Sequence, residues 1–252
     1  MIESGLRFAA IDIGSNAIRL LFTRVIEGNK NSDPFFIKES LIRMPLRLGQ
    51  DVFNKGLISK NNSTSFINTI FGFKYLLDAY QPINYRACAT AAMRNAENNM
   101  DLIRKVKNDS GVNIEIISGS EEASLILGKN INQYLKHNKT YLHIDVGGGS
   151  TELSIISKGI KKISKSFSIG SVRLLEKKVK KIHWAEMHNW LTTHTKSISE
   201  IEAIGSGGNI NKISSMLGAN KGDIIKIDSI KNIIKKIDNK NINERITLLG
   251  LR

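Results

Sequence analysis

The sequence predicts an α/β fold in which two similar subdomains face each other across a cleft. Two stretches of the 252-residue chain, residues 8–22 and 141–156, share one pattern: an apolar strand with Asp near its end, a turn of small residues, and a second apolar strand. Elsewhere, short β-rich runs alternate with segments of helical periodicity, which is typical of α/β proteins. The repeated hairpin therefore organises the rest of the chain.

The second hairpin combines phosphate donors with carboxylates. Residues 141–146 read as a buried strand, and glycines at 147–149 make a tight turn before the next strand. Glycine has no Cβ, so the N–H groups of this turn can approach an anion closely. Asp145 and Glu152 place carboxylates at the two edges of the turn. Phosphoryl chemistry requires such a combination; the alternative is an ordinary glycine hairpin with two solvated acids.

The first hairpin repeats this arrangement near the N-terminus. Residues 7–13 and 17–26 read as its strands, Asp12 lies near the end of the first strand, and a small-residue turn follows. Two turns of this form are much less expected by coincidence than one. The pair thus favours the phosphate-binding interpretation over the ordinary hairpin.

Composition restricts the class of protein. Hydrophobic residues make up 41% and charged residues 24% of the chain, as in globular proteins. Cys88 is the single cysteine, which excludes an intramolecular disulfide, and we interpret it as a small buried residue. The sequence has no apolar run of about 18 residues and no signal-peptide pattern. We therefore expect a cytoplasmic protein without membrane contact.

The chain is strongly basic. Its net charge of +14 suits a polyanionic partner. Lys, Asn and Ile are abundant throughout, so a general compositional bias explains the charge equally well. No zinc-finger spacing and no basic helix with interleaved aromatic residues occurs, so we expect no sequence-specific binding to nucleic acid.

The other elements are predicted from periodicity and from capping and turn signals. In the first half of the chain, we predict a turn at 29–34, an extended segment at 35–48 that Pro45 limits to an edge or a break, a helix to about Tyr80, a strand at 83–90, a helix with Leu102 and Val106, and a strand at 113–117. In the second half, we predict a helix after 118–120, strands at 161–169 and 202–204, and helices from about Ser171, Ile210 and Ser229. Ser59 can cap the first of these helices, whose apolar face includes Phe66 and Leu76. Trp184 and Trp190 are interpreted as packing residues.

Two of these segments carry candidate functional residues. Arg94 stands at a strand-to-helix connection, where open α/β sheets place ligand contacts, although a surface ion pair is the simpler interpretation of that position alone. Glu121 and Glu122 lie in a predicted first helical turn, where acids oppose the helix dipole. One of them would instead reach the cleft as a general base. Spacing alone leaves both interpretations open.

A third glycine-rich turn follows the strand predicted at 202–204. Residues 205–209 read Gly-Ser-Gly-Gly-Asn and precede a predicted helix. A strand, a glycine turn and a helix N-terminus together form an anion site. The turn is neither a Walker loop nor a dinucleotide-binding fingerprint.

Five blocks of the chain, taken in order, resemble the exopolyphosphatase and guanosine pentaphosphate phosphohydrolase (Ppx/GppA) family. The blocks are residues 12–16, 89–98, 118–123, 145–152 and 205–208. The resemblance extends over residues 8–252 and implies the α/β actin-like ATPase (ribonuclease H-like) fold. It further implies a first actin-like subdomain at 1–118 and a second at 119–252.

The resemblance also implies an activity, which is the Mg²⁺-dependent hydrolysis of the terminal phosphoanhydride of polyphosphate or guanosine pentaphosphate. By this resemblance, Glu122 is the base that activates water, Arg94 holds the phosphate under attack, and Glu152 contacts metal and water. The expected metal ligands are Asp12, Asp145 and Glu152. The expected phosphate-binding residues are Gly14, Ser15, Asn16, Gly147, Gly148, Gly149, Ser150, Gly207 and Gly208.

The chain departs from the family pattern at its C-terminus. Family members continue past the stretch that resembles residues 245–252, so we expect the second subdomain to be incomplete. A homodimer is a family-level expectation. Exopolyphosphatase activity is our first hypothesis and guanosine pentaphosphate hydrolysis the second. A non-catalytic phosphate- or nucleotide-binding paralogue is the third, and an actin-like ATPase or sugar kinase is the fourth.

Overall fold

The computed structural model describes residues 5–28, 34–126 and 135–249, which form two mixed β-sheets flanked by helices. The strands of the first sheet are β1 (Leu6–Ile13), β2 (Ile18–Ile26), β3 (Phe35–Met44), β4 (Asn84–Ala89) and β5 (Ile114–Ile116). Their spatial order is β3-β2-β1-β4-β5. The pairs β1–β2 and β2–β3 are antiparallel, whereas β1–β4 and β4–β5 are parallel.

The second sheet repeats the topology of the first. Its strands are β6 (Thr140–Val146), β7 (Thr151–Ser157), β8 (Ile160–Phe167) and β9 (Glu202–Ser206), in the order β8-β7-β6-β9. As β1 pairs antiparallel with β2 and parallel with β4, β6 pairs antiparallel with β7 and parallel with β9. This repetition confirms the predicted fold, while the division at residues 118 and 119 stays a prediction.

The helices lie between these strands and after them. They are α1 (Leu48–Lys55), α2 (Lys60–Tyr80), α3 (Ala91–Asn95), α4 (Asn99–Ser110), α5 (Gly119–Ile126), α6 (Ser171–Leu175), α7 (Lys181–Thr195), α8 (Gly207–Met216), α9 (Ile227–Asp238) and α10 (Ile242–Leu249). Ser59 caps α2 as predicted, because its hydroxyl accepts a hydrogen bond from the N–H of Asn62 at 3.4 Å. No helix in the described part of the chain is long and apolar enough to cross a membrane.

Each sheet has its own hydrophobic core. In the larger core, side chains of the first sheet pack against α2 and α4, with Ile13, Leu20 and Phe66 fully buried. The smaller core lies on the second sheet, where Trp190 packs edge-on against Phe167 at 5.8 Å between ring centroids. One residue of α6, Val172, belongs to the larger core although α6 follows the second hairpin in sequence.

Several predictions of local structure are wrong. The predicted extended segment is an edge strand that breaks just before Pro45, as expected, but it does not reach residue 48. Residues 48–55 form α1 instead, because Leu48 and Val52 bury one helical face. Leu76 is 39% and Trp184 49% exposed, so neither is a core residue. Helices α7 and α10 and the full length of β9 were not anticipated.

Two further predictions have mixed outcomes, and a third lies largely outside the described residues. Cys88 is partly rather than fully buried. The glycine turn at 205–209 does not form as a loop, because β9 runs to Ser206 and α8 begins at Gly207. Most of the turn predicted at 29–34 lies outside the described residues.

Candidate active site

The second hairpin places its polar side chains on one face of the sheet. Directly opposed residues of an antiparallel pair project to the same side, and Asp145 is opposed by Glu152. Two residues further from the turn, His143 is opposed by Ser154, and these two residues are 1% and 0% exposed. On the opposite face, Leu153 enters the smaller core. The structure therefore brings the two predicted acids together beside a row of buried polar groups.

Glu152 is a buried carboxylate, only 2% exposed. The hydroxyl of Ser166 on β8 donates to its Oε1 at 2.8 Å, and the hydroxyl of Ser150 also hydrogen-bonds it. Burial raises the pKa of Glu152; these hydroxyl groups oppose the rise, and the charge of Asp145 adds to it. A nearby cation would offset the cost of ionising this group.

Asp145 is held from the neighbouring strand. Ser206 is its partner in the parallel β6–β9 pairing, and the Ser206 hydroxyl donates to Asp145 Oδ2 at 2.6 Å. Nε2 of His143 lies 3.0 Å from the same hydroxyl oxygen. Burial lowers the pKa of His143, with the charge of Asp145 opposing the shift. Burial therefore favours the neutral form of the imidazole.

Arg94 and Glu122 meet at an edge of the first sheet. The parallel strands β4 and β5 end there, and each is followed by the helix that carries one of the two residues. Nη1 of Arg94 donates to Glu122 Oε2 at 3.1 Å and to the carbonyl of Ile117 at 2.7 Å. The two side chains are 22% and 17% exposed, so this is a largely buried pair rather than the surface ion pair considered above.

Among the acidic side chains of the site, Glu122 has the most strongly shifted pKa. Burial is the largest cause and the charge of Glu152 the second, and together with the more distant Asp12 they raise the pKa of Glu122 to about 7. Arg94 acts in the opposite direction through its charge and its hydrogen bond. A carboxyl group with a pKa near neutrality can both accept and release a proton at physiological pH, as a general base must.

The neighbouring Glu121 has a different role. Its Oε1 accepts from Nη2 of Arg86 at 2.7 Å, and both side chains are more than 40% exposed. The hydroxyl of Ser118 accepts from the Glu121 N–H at 3.1 Å and caps the helix. Glu121 therefore has the role expected of an exposed acid in the first turn of a helix. Of the two acids, it is Glu122 that points toward the acids of the second hairpin.

Asp12 occupies in the first hairpin the position that Asp145 holds in the second. Its cross-strand partner is Arg19, which donates to Asp12 Oδ2 at 2.7 Å. The second hairpin has Glu152 in the place of this arginine. Asp12 is thus paired with a cation on its own sheet, while its charge still reaches Glu122.

The turns of the two hairpins contact each other. A Cβ added to Gly149 would lie 2.6 Å from Oγ of Ser15, and one added to Gly148 would lie 3.1 Å from Cβ of the same residue. Neither glycine has a positive φ, so close approach explains their presence. Ser15 is 4% exposed, and its hydroxyl has no hydrogen-bond partner among the described residues.

Some of the predicted phosphate donors are engaged within their own turns. The N–H of Gly14 donates to the carbonyl of Ala17 at 3.1 Å, and that of Gly147 donates to the carbonyl of Ser150 at 2.9 Å. The carbonyl of Asn16 accepts from the N–H of Arg47 at 3.1 Å. These bonds shape the turns, so the amides of Gly14 and Gly147 do not face a ligand in this state.

The two glycines at the start of α8 differ in their surroundings. Gly207 has φ of +90°, and an added Cβ would lie 2.6 Å from Oδ1 of Asp145. An added Cβ on Gly208 would meet nothing within 4 Å. Glycine at 207 therefore lets α8 begin directly against the carboxylate, whereas Gly208 borders open space.

The site contains a cation that the sequence analysis did not identify. Arg173 on α6 lies over the ring of Phe53 on α1 at 3.9 Å, and its Nε donates to the carbonyl of Gly149 at 2.7 Å. Burial lowers the pKa of Arg173, and the charge of Arg94 lowers it further. Two guanidinium groups near enough to repel each other favour an anion between or beside them. Its only sequence signal was its position shortly after Gly170.

The donor set fits Mg²⁺ in part. Magnesium prefers oxygen ligands and is usually held by one or two carboxylates together with water and substrate phosphates. Asp145 and Glu152 meet this description, since both are oxygen donors and neither forms an ion pair with another described residue. Within residues 5–28, 34–126 and 135–249, no group of three His, Cys, Asp or Glu side chains is close enough to hold a metal alone.

Comparison with known sequences points to one family. The Ppx/GppA phosphatase family matches residues 40–251 of this chain. Exopolyphosphatase 1 of Mycobacterium tuberculosis is 29% identical over 169 residues, which cover 67% of this chain and 48% of that protein. A bifunctional 3-dehydroquinate synthase/phosphatase of Fusobacterium nucleatum is 33% identical over 174 residues, covering 67% of this chain and 26% of that protein. The chain thus matches about half or less of the length of these relatives.

Solved structures of an exopolyphosphatase and of a Ppx/GppA family member share the fold of this chain. An exopolyphosphatase from Cytophaga hutchinsonii superposes with a TM-score of 0.78 at 23% identity, covering 98% of this chain and 84% of that one. A Ppx/GppA family member from Aquifex aeolicus has a TM-score of 0.71 at 22% identity, covering 98% and 83%. The architecture is therefore the actin-like ATPase fold.

Proposed function

Because the chain belongs to the Ppx/GppA phosphatase family, we propose that it is a Mg²⁺-dependent phosphohydrolase that removes the terminal phosphate of inorganic polyphosphate. The observation that carries this proposal is the Glu122 carboxyl group, which is largely buried and held by Arg94. Its pKa of about 7, raised first by burial and next by Glu152, matches the needs of a general base.

In this proposal, hydrolysis is a direct attack by water. The water oxygen forms a bond to the terminal phosphorus while the phosphoanhydride P–O bond breaks. Glu122 takes the proton from the water, and the shortened chain leaves with the bonding electron pair on its terminal oxygen. Positioning and charge neutralisation dominate such a reaction, so no covalent intermediate on the protein is required.

The charged groups around Glu122 have complementary tasks. Arg94 would turn from its carboxylate partner toward the phosphate under attack, and Arg173 would face the same anion from α6. A bound Mg²⁺ would neutralise phosphate charge, with Asp145 and Glu152 as its protein ligands. Asp12, which is paired with Arg19 at 2.7 Å, would contribute through its charge from the first hairpin.

Polyphosphate is the substrate that we favour over guanosine pentaphosphate. The basic chain, with its net charge of +14, suits a long polyanion. Similar proteins from Mycobacterium tuberculosis and Cytophaga hutchinsonii are described as exopolyphosphatases. No feature of the described residues identifies a guanine pocket, so guanosine pentaphosphate hydrolysis is the alternative for the assay to decide.

The test measures phosphate release by the purified chain with Mg²⁺ from long-chain polyphosphate, guanosine pentaphosphate and ATP in parallel. We expect release from polyphosphate and a loss of at least 100-fold in kcat for Glu122→Gln, which is the usual contribution of a general base at its lower end. Glu121→Gln is the matched control and should retain activity, because Glu121 pairs with Arg86 away from the cluster.

The outcomes separate the competing functions. Faster release from guanosine pentaphosphate than from polyphosphate would reverse the choice of substrate, and release from ATP would favour an ATPase or kinase-like activity. Polyphosphate binding by a folded protein without turnover would show a non-catalytic member. Retained turnover in Glu122→Gln would reject the assignment of the base.

A further inference from the structure

A buried histidine behind the acidic cluster has a hydrogen-bonding arrangement that the proposed reaction does not use. His143 lies on the central strand β6, two residues before Asp145, and is 1% exposed. A histidine in a buried strand position costs free energy unless its ring nitrogens find partners. Its Nε2 has such a partner in the hydroxyl of Ser206, at 3.0 Å.

The direction of each hydrogen bond follows from counting protons. An ionised carboxylate only accepts, so the contact of 2.6 Å between Ser206 Oγ and Asp145 Oδ2 uses the single hydroxyl proton of Ser206. The Ser206 oxygen must then accept from His143, which places the imidazole proton on Nε2. The chain of donors therefore runs from His143 through Ser206 to Asp145.

This chain immobilises the carboxylate. A serine hydroxyl has one proton to donate and lone pairs to accept, and here both functions are engaged, which fixes its orientation. Ser206 holds Oδ2 of Asp145, while Oδ1 faces Gly207, where an added Cβ would lie 2.6 Å from it. A metal-binding carboxylate must be held in this way, because its partners outside the coordination sphere set its orientation.

We propose that His143 is a positioning residue that orients the Asp145 carboxylate toward a divalent cation through the Ser206 hydroxyl. This inference rests on the proposed function to the extent that Asp145 is taken as a cation ligand. His143 itself touches neither the cation nor the substrate. Its effect passes through one hydroxyl group, which makes the path testable by a double-mutant cycle.

The experiment measures Mn²⁺ affinity by electron paramagnetic resonance without substrate. We expect His143→Leu to weaken Mn²⁺ binding about 10-fold, the lower end for loss of an outer-sphere partner. His143→Gln is the conservative variant, since its amide N–H can reach Ser206, and it should keep affinity close to that of the wild type. In a Ser206→Ala background, His143→Leu should have no further effect on affinity.

Two results measured on the variants would overturn the inference. One is wild-type Mn²⁺ affinity in His143→Leu, and the other is an undiminished effect of His143→Leu when Ser206 is already alanine. Failure of the wild-type protein to bind Mn²⁺ at millimolar concentration would also overturn it. Circular dichroism of each variant shows whether a loss of affinity comes from a loss of fold.

A measurement on the metal-free wild-type protein keeps the inference testable if the leucine variant fails to fold. Long-range ¹H–¹⁵N NMR spectra at pH 7.5 distinguish the two neutral tautomers of histidine. We expect the Nε2–H tautomer for His143, and the Nδ1–H tautomer would overturn the donor chain. Normal Mn²⁺ binding and tautomer in a protein that releases no phosphate would instead reject the proposed function alone.

Discussion

Replacing Glu122 by Gln should stabilise the metal-free protein at neutral and alkaline pH while it removes activity. The folded state raises the pKa of the Glu122 carboxyl group from the ordinary 4.5 to about 7, first through burial and then through the charge of Glu152. Ionising this group in the folded protein therefore costs free energy that the unfolded chain does not pay. Glutamine has a similar shape and no charge to ionise.

The sign and size of the effect follow from linkage. Below pH 4.5 the carboxyl group is protonated in both states, so it adds no difference. Between pH 4.5 and 7 the folded state holds the proton that the unfolded state has lost, and stability falls as pH rises. Above pH 7 the accumulated cost is about 3 kcal/mol, from a shift of about two and a half units at about 1.36 kcal/mol each. The opposing effect of Arg94 is already contained in this shift.

Urea unfolding at several pH values in the presence of a chelator would measure this difference. The free energy of unfolding of Glu122→Gln should exceed that of the wild type by about 3 kcal/mol at pH 8, and the gap should close toward pH 4.5. Glu121→Gln, which alters the exposed pair with Arg86, should show no such pH-dependent gain. Parallel curves for Glu122→Gln and the wild type across this range would refute the reasoning.

Three further predictions address other parts of the site. Arg94→Ala should lower kcat/KM for polyphosphate by about 100-fold or more, and kinetics like those of the wild type would return Arg94 to a purely structural role. Gly207→Ala should lower the free energy of unfolding, measured in urea, by about 1–2 kcal/mol, because φ is +90° and the new Cβ would approach Asp145. The control is Gly208→Ala, which should be neutral or stabilising because its Cβ would meet open space. Arg173→Lys should lower the free energy of unfolding by about 1 kcal/mol through loss of the contact with the Phe53 ring, and it should raise KM for polyphosphate. Unchanged stability and KM in this variant would contradict the role of Arg173.

The repeated hairpin was predictable because its signals are local. Alternating apolar residues define each strand, and the position of Asp145 before the turn and Glu152 after it makes them cross-strand partners in a tight hairpin. The cap of α2 at Ser59 likewise depends only on neighbouring residues. Helix α1 was missed because its buried face is short and follows directly on an edge strand and a proline.

The polar face behind the acids could have been predicted from the sequence, although our sequence analysis did not identify it. His143 and Ser154 each stand between two apolar neighbours, Leu142 and Ile144 on β6 and Leu153 and Ile155 on β7. A period of two in a buried strand predicts that such residues share the face of Asp145 and Glu152. The predicted order of strand, glycine segment and helix at 202–209 is present, but the segment is not a separate turn. The sequence does not show that β9 continues to Ser206 and brings its hydroxyl to Asp145.

The sequence by itself determined the fold class and the chemical types present at the site, since strand periodicity, glycine turns and acid spacing are properties of neighbouring residues. The resemblance to a family had implied Glu122 rather than Glu121 as the base, but only the tertiary structure gave the physical reason, because Glu122 meets the buried Arg94 while Glu121 pairs with the exposed Arg86. It also showed that Arg173 from α6 reaches Phe53 and Gly149. The perturbed pKa of Glu122 likewise arises from burial and from charges distant in sequence, which no local pattern encodes.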